Sequence, residues 1–169
     1  ENRIIWTILD KLVNIFRAIP FIILVALLMD MTRAIAGTTI GVRGAIFPLI
    51  MGTVPFFSRQ IESALAEVDY GLIEASQSMG DSPFQTIIRV YLKESIPGII
   101  RATTITLISL IGLTAMVGVV GGGGIGNFAI QYGYSRHQTD ITYVSCIVIL
   151  IFITLIQSIS NVLIQKTTH

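Results

Sequence analysis

Glu74, Ala75, Ser76 and Gly80 form a small polar constellation set between long apolar stretches of the chain. Their chemistry is that of docking. A carboxylate such as Glu74 offers a charge-assisted hydrogen bond to a basic side chain or a backbone donor. Ala75 and Ser76 are small enough for a second surface to come close. Leu72, Ala75, Ser76 and Met79 fall at i, i+3, i+4 and i+7, which places them on one face of a short helix. Gly80, tolerant of left-handed φ, is placed to end that helix and turn the chain sharply into the next.

Composition says where such a helix must sit. Of 169 residues, 53% are hydrophobic and only 12% charged, and a soluble domain carries about twice that charged fraction. No Asp, Glu, Lys or Arg occurs in residues 102–135 or 141–165. Runs of that length reach the ~20 residues that cross a hydrocarbon core. The chain is read as an integral membrane protein, all-α, a polytopic bundle with the lipid bilayer as its first partner. A net charge of +1 without a basic stripe argues against nucleic acid. Cys146, the only cysteine, excludes an internal disulfide. No signal peptide is visible, and because the first residue is Glu1, upstream sequence is expected.

Four spans are predicted: residues 12–29, then a weaker candidate at 44–57 extending back to Ile40, then 96–120 and 141–164. Pro48 and Pro55 imply a kinked second span, whose stripe continues through Ile61, Leu65 and Val68 as the helix leaves the membrane. Ser82-Pro83-Phe84-Gln85 reads as a capping box with Pro at the first helical position. It opens a helix with Phe84, Ile87, Ile88 and Tyr91 on one side, expected to lie along the membrane surface. Residues 71–80 on the inner side place eight basic residues on or near that side (Arg3, Lys11, Arg17, Arg59, Arg89, Lys93, Arg101, Lys166). Three then lie outside (Arg33, Arg43, Arg136), as the positive-inside rule favours. Both ends of the chain are then inside. A short helix across the inner ends of two spans is what a membrane subunit needs when a separate motor must push on it.

Glu74-Ala75-Ser76, three residues, Gly80, nine residues and Val90-Tyr91-Leu92 resemble the E-A-A loop of importer-type ABC permeases. That pattern usually closes with a proline where this chain has Lys93, so Pro97 is expected to supply the break instead. Residues 13–24, 71–83 and 129–134 are further similar to methionine-importer permeases, and the likeness covers nearly the whole chain. The resemblance implies five spans per subunit, so a first span and an outer N-terminus are expected upstream of this chain. It implies one permease domain over residues 1–169, with residues 69–95 as a cytoplasmic coupling loop in which Leu72, Glu74, Ala75, Ser76, Met79 and Gly80 meet the motor. It also implies a second permease copy as homodimer partner, cytoplasmic ABC ATPase subunits and an external substrate-binding lipoprotein. The setting is a bacterial cytoplasmic membrane and the mechanism alternating access. No cofactor is expected in this chain, since ATP and Mg would be bound by the partner.

Plainer alternatives stand beside these. An isolated E-A-S-x-x-x-G match is weak, and its place between spans strengthens it. Gly121, Gly122, Gly123 and Gly124 are either a flexible linker or an outer gate or docking surface for a binding protein, since glycines allow close backbone approach. Met116 is better read as core packing than as a pathway contact to a thioether-bearing substrate. Arg17 and Arg101 are expected to snorkel, Arg43 to sit at the interface, and His137 to lie in a solvated loop rather than bind metal. Gln157 and Asn161 are candidates for bonds between helices. No P-loop, H-E-x-x-H or G-x-S-x-G occurs, so the chain is not read as an enzyme. The rival functions are permeation of another amino acid, or a non-transporting intramembrane scaffold.

Overall fold

The computed structural model describes residues 3–167, and among them every regular element is helical. The first expected span is where sequence and structure part. Instead of one helix over residues 12–29, three follow in series: α1 (Arg3–Ala18), α2 (Phe21–Leu27) and α3 (Met29–Ala36). Pro20 is the cause. A residue preceding proline is pushed out of the α region, so the chain leaves the helix at Ile19 and restarts with Pro20 as cap, its carbonyl accepting from Ile23 and Leu24 N–H at 2.9 and 3.0 Å. Leu28 interrupts only lightly, because Leu28 N–H still donates to Leu24 and Thr32 N–H to Leu28.

The other three spans are present, each longer than the apolar run that announced it. They are α4 (Gly41–Ala66), a run Pro83–Val117 and α9 (Thr139–Thr167), of 26, 35 and 29 residues with mean hydropathies of 1.3, 1.7 and 2.5. Helix α4 carries Pro48 and Pro55 in its interior. Between α4 and the long run lies α5 (Tyr70–Ser78). The run itself begins as α6 (Pro83–Thr86), passes through a π-helical turn at Ile87–Tyr91, and continues as α7 (Leu92–Val117). The helix expected after Ser82 is therefore continuous with the helix of the third span, and Pro97 sits inside α7 without ending it. Beyond α7 come a π-helical turn (Gly118–Gly122), α8 (Gly124–Asn127) and a second π-helical stretch (Phe128–Tyr134).

Burial runs opposite to that of a soluble protein. Large side chains face outward: on α9, Ile147, Leu150, Ile151, Phe152, Leu155 and Ile159 are all exposed. Beside Leu24, Val25, Leu28 and Val117, many of the residues hidden at helix contacts are small or hydroxylated, among them Ala64, Ala102, Thr106, Ser145 and Ser160. In lipid there is no hydrophobic drive to bring helices together, so small residues that let backbones approach take the contacts. Their hydroxyls are satisfied within the helix: Thr103, Thr104, Thr106 and Ser145 each donate at 2.8 Å to the carbonyl four residues back.

The chain forms two compact units, residues 1–56 with 107–154 and residues 57–106 with 155–169. In the first, Val25, Ala45 and Val117 cluster with Phe21 and Leu49. Gly52 leaves room for the Phe21 ring, which would stand 3.0 Å from an added Cβ. In the second, Gly98 sits over Ala64, 3.1 Å from Cβ to Cβ were it alanine, and the Thr104 and Ser160 hydroxyls are hydrogen-bonded at 2.6 Å. That bond between helices is made by Ser160, whereas Gln157 and Asn161 are exposed.

Candidate functional site: a docking helix and a glycine-built bend

Helix α5 is held by caps at both ends. Asp69 precedes it in extended conformation, and its Oδ1 accepts from Gly71 N–H at 2.8 Å. At the other end Gly80 has φ +87°, and the two bonds of a Schellman motif are present: Asp81 N–H to Ser76 at 3.2 Å and Gly80 N–H to Gln77 at 3.0 Å. The next helix starts at once. Ser82 Oγ accepts from Gln85 N–H while Gln85 Oε1 accepts from Ser82 N–H at 2.8 Å, the full capping box expected from the sequence.

The face of α5 differs from the reading by spacing. Leu72, Glu74, Ala75 and Met79 are exposed, Leu72 by 44% and Met79 by 79%. Ser76 is the exception, only 1% exposed. Its Oγ donates to Asp81 Oδ2 at 2.9 Å and lies 3.2 Å from Thr86 Oγ1. Ser76 is therefore part of what holds α5, while Leu72, Ala75 and Met79, at i, i+3 and i+7, form the apolar face turned outward. The spacing rule misplaced Ser76 because i+4 lies at the edge of that stripe, and the hydroxyl finds its partners on the inner side. Asp69, Asp81 and Thr86 were not singled out by the sequence reading, although an Asp directly before a helix was a legible cap signal.

The second candidate region is built from glycine. Gly121, Gly123 and Gly124 have φ of +90°, +76° and +84°, a conformation that side chains resist. At Gly122 an added Cβ would meet the Val117 carbonyl at 2.8 Å. Past this bend α8 lies directly on the end of α7. Gly126 is buried, and a Cβ there would stand 2.6 Å from the Ala115 carbonyl oxygen; one at Gly118 would stand 2.5 Å from Asn127 N. A groove of about 280 Å³ runs beside them, lined in part by Thr114, Ala115, Gly124, Ile125 and Gly126. Met116 is 44% exposed on α7 and does not line that groove. Farther on, Arg136 lies over the Tyr132 ring at 4.5 Å and Tyr132 packs against Phe128 at 5.3 Å between centroids. His137 is exposed, with φ +58°.

Helices that turn large apolar side chains outward, with a doubly capped short helix between two spans, define a polytopic α-helical membrane protein. A family described as the binding-protein-dependent transport system inner membrane component matches residues 1–168, and the chain belongs to that family. It is 44% identical to the probable D-methionine transport system permease protein MetI of Vibrio cholerae, over all of this chain and 75% of the relative. It is 42% identical to the methionine import system permease protein MetP of Bacillus subtilis, over 96% of this chain and 73% of the relative. Among solved structures, an inward-facing form of the MetNI methionine ABC transporter superposes with a TM-score of 0.92 at 42% identity, covering 99% of this chain and 78% of the other. An amino acid ABC transporter solved with histidines shares the fold at 18% identity, with a TM-score of 0.77.

Proposed function

We propose that this chain is the permease subunit of an ATP-driven importer that carries methionine across the bacterial cytoplasmic membrane. Two copies form the pathway, two cytoplasmic ABC ATPase subunits bind ATP and Mg, and an external lipoprotein delivers the substrate. The observation that carries the coupling role is the outward apolar face of α5, Leu72, Ala75 and Met79, held by caps at both ends. A loop held so firmly with its apolar side out is suited to take a push. Glu74, exposed on the same helix, supplies the charge-assisted bond. The names of its relatives support the substrate.

Closure of the ATPases on ATP would move α5, and the spans would rock between outward- and inward-open states. In that cycle the bend at Gly121, Gly122, Gly123 and Gly124 serves as a gate element, since backbone packed against backbone there has only discrete arrangements. Met116 remains a pathway candidate through its exposure on α7. The decisive experiment reconstitutes the full-length permease with its ATPase subunit and binding protein in liposomes. Hydrolysis that responds to methionine is expected. An intact complex indifferent to methionine removes the substrate, and failure to form a complex removes the importer.

A further inference from the structure

Only Gly80 and Asp81 separate the Schellman end of α5 from the capping box that opens the run Pro83–Val117. Two residues of loop leave a hinge, and a docking helix on a free hinge would flex when pushed. Side chains close it. Asp81 is 20% exposed, and each of its carboxylate oxygens is engaged from a different side. Oδ2 accepts from Ser76 Oγ on α5 at 2.9 Å; Oδ1 accepts from Arg89 Nη1, in the π-helical turn Ile87–Tyr91, at 3.2 Å. Beneath them Ser76 Oγ and Thr86 Oγ1 stand 3.2 Å apart, both residues buried, and Thr86 Oγ1 also donates to the Ser82 carbonyl at 3.3 Å.

We infer that Asp81 is a positioning residue for coupling: its carboxylate latches α5, through Ser76, to the start of the third span, through Arg89, so that the two move as one lever. The inference rests on α5 being the docking helix, and it adds where the push goes. Without the latch, force on α5 would be absorbed by rotation about Gly80 and Asp81. With it, the same force enters a 35-residue helix at its first turns. The π-helical turn is in the right place for this, since such turns mark functional sites in helices. Arg89, which bonds Asp81 from eight residues along the chain, lies within it.

Spin labels at the exposed positions Gln77 and Lys93 test the latch with no partner present. Asp81→Ala in the full-length permease is expected to broaden the distance distribution between them, and Asp81→Asn, which keeps one acceptor oxygen, to broaden it less. In liposomes with the ATPase subunit and binding protein, Asp81→Ala is expected to assemble and hydrolyse ATP. The radiolabelled methionine taken up per ATP should fall about fivefold, the low end of ordinary coupling between sites. Asp81→Ala combined with Arg89→Ala should be no worse than Asp81→Ala alone. An unchanged distance distribution overturns the latch, and so does a broadened one with uptake per ATP unchanged. Failure of the docking reading itself would appear elsewhere, as normal ATPase binding by variants of Leu72 and Met79.

Discussion

Gly80 holds φ +87° at the end of α5, and a Cβ placed there would meet no atom of the chain within 4 Å. Those two facts together isolate a cost. Alanine at this position suffers no clash, so its whole penalty is the left-handed backbone, about 1–2 kcal/mol. That shifts the equilibrium between the closed turn and an opened one by about 5–30-fold. The bonds Asp81 N–H to Ser76 and Gly80 N–H to Gln77 are what opening would break. Gly80→Asn should recover most of the loss, because asparagine tolerates left-handed φ. Gly80→Trp carries the same backbone penalty as alanine and its Cβ meets nothing in the permease, so a further loss of stimulation at a melting temperature equal to that of the alanine variant points to a partner lying over the turn. The assay is co-purification with the ATPase subunit followed by methionine-responsive hydrolysis in liposomes. All three variants should insert in the membrane. Alanine should retain assembly and lose several-fold in stimulation, and tryptophan should lose stimulation altogether. Equal behaviour of alanine and tryptophan would refute docking at the turn, and wild-type behaviour of alanine would refute the need for a left-handed residue there.

Leu72→Ser and Met79→Ser remove exposed apolar contacts, so thermal stability in detergent should stay unchanged while affinity for the ATPase subunit drops about tenfold per site, the loss of an interface residue worth more than about 1 kcal/mol. Gly126→Val places its Cβ 2.6 Å from the Ala115 carbonyl oxygen, on backbone that has little room to move; a loss of about 1–3 kcal/mol is expected, read as a lowered melting temperature, and an unchanged melt would deny the close packing of α8 on α7. A double-mutant cycle of Thr104→Ala and Ser160→Ala should give a coupling of about 0.6 kcal/mol, the usual worth of a hydroxyl bond between membrane helices. Arg101→Ala breaks an exposed ion pair with Glu67 at 3.7 Å and should change stability by less than about 1 kcal/mol.

Much of this protein was legible along the chain, for reasons that are local. A charge-free run such as residues 141–165 has one stable form in lipid, so α9 could be read almost to its ends. The left-handed turn at Gly80 and the capping box at Ser82 depend on residues within a few positions, and both were found where the sequence put them. The break at Pro20 was equally local, and was missed because a hydropathy window counts proline as one residue among eighteen and ignores what it does to Ile19. Other features have no local signature. Whether Ser76 faces outward with Leu72 or inward depends on Asp81 and Thr86 being brought beneath it, and hydropathy is nearly blind to a serine. The continuity of α6 with α7 required knowing that the π-helical turn absorbs the register. Sequence by itself determined the apolar spans and the caps, because bilayer thickness and backbone satisfaction act on each segment alone. Tertiary structure decided which small residues touch, as Gly98 on Ala64 across 34 residues of chain, and how the chain folds back to set Gly126 on Ala115 and Arg89 on Asp81, because such encounters depend on how successive helices are turned against one another rather than on any one segment alone.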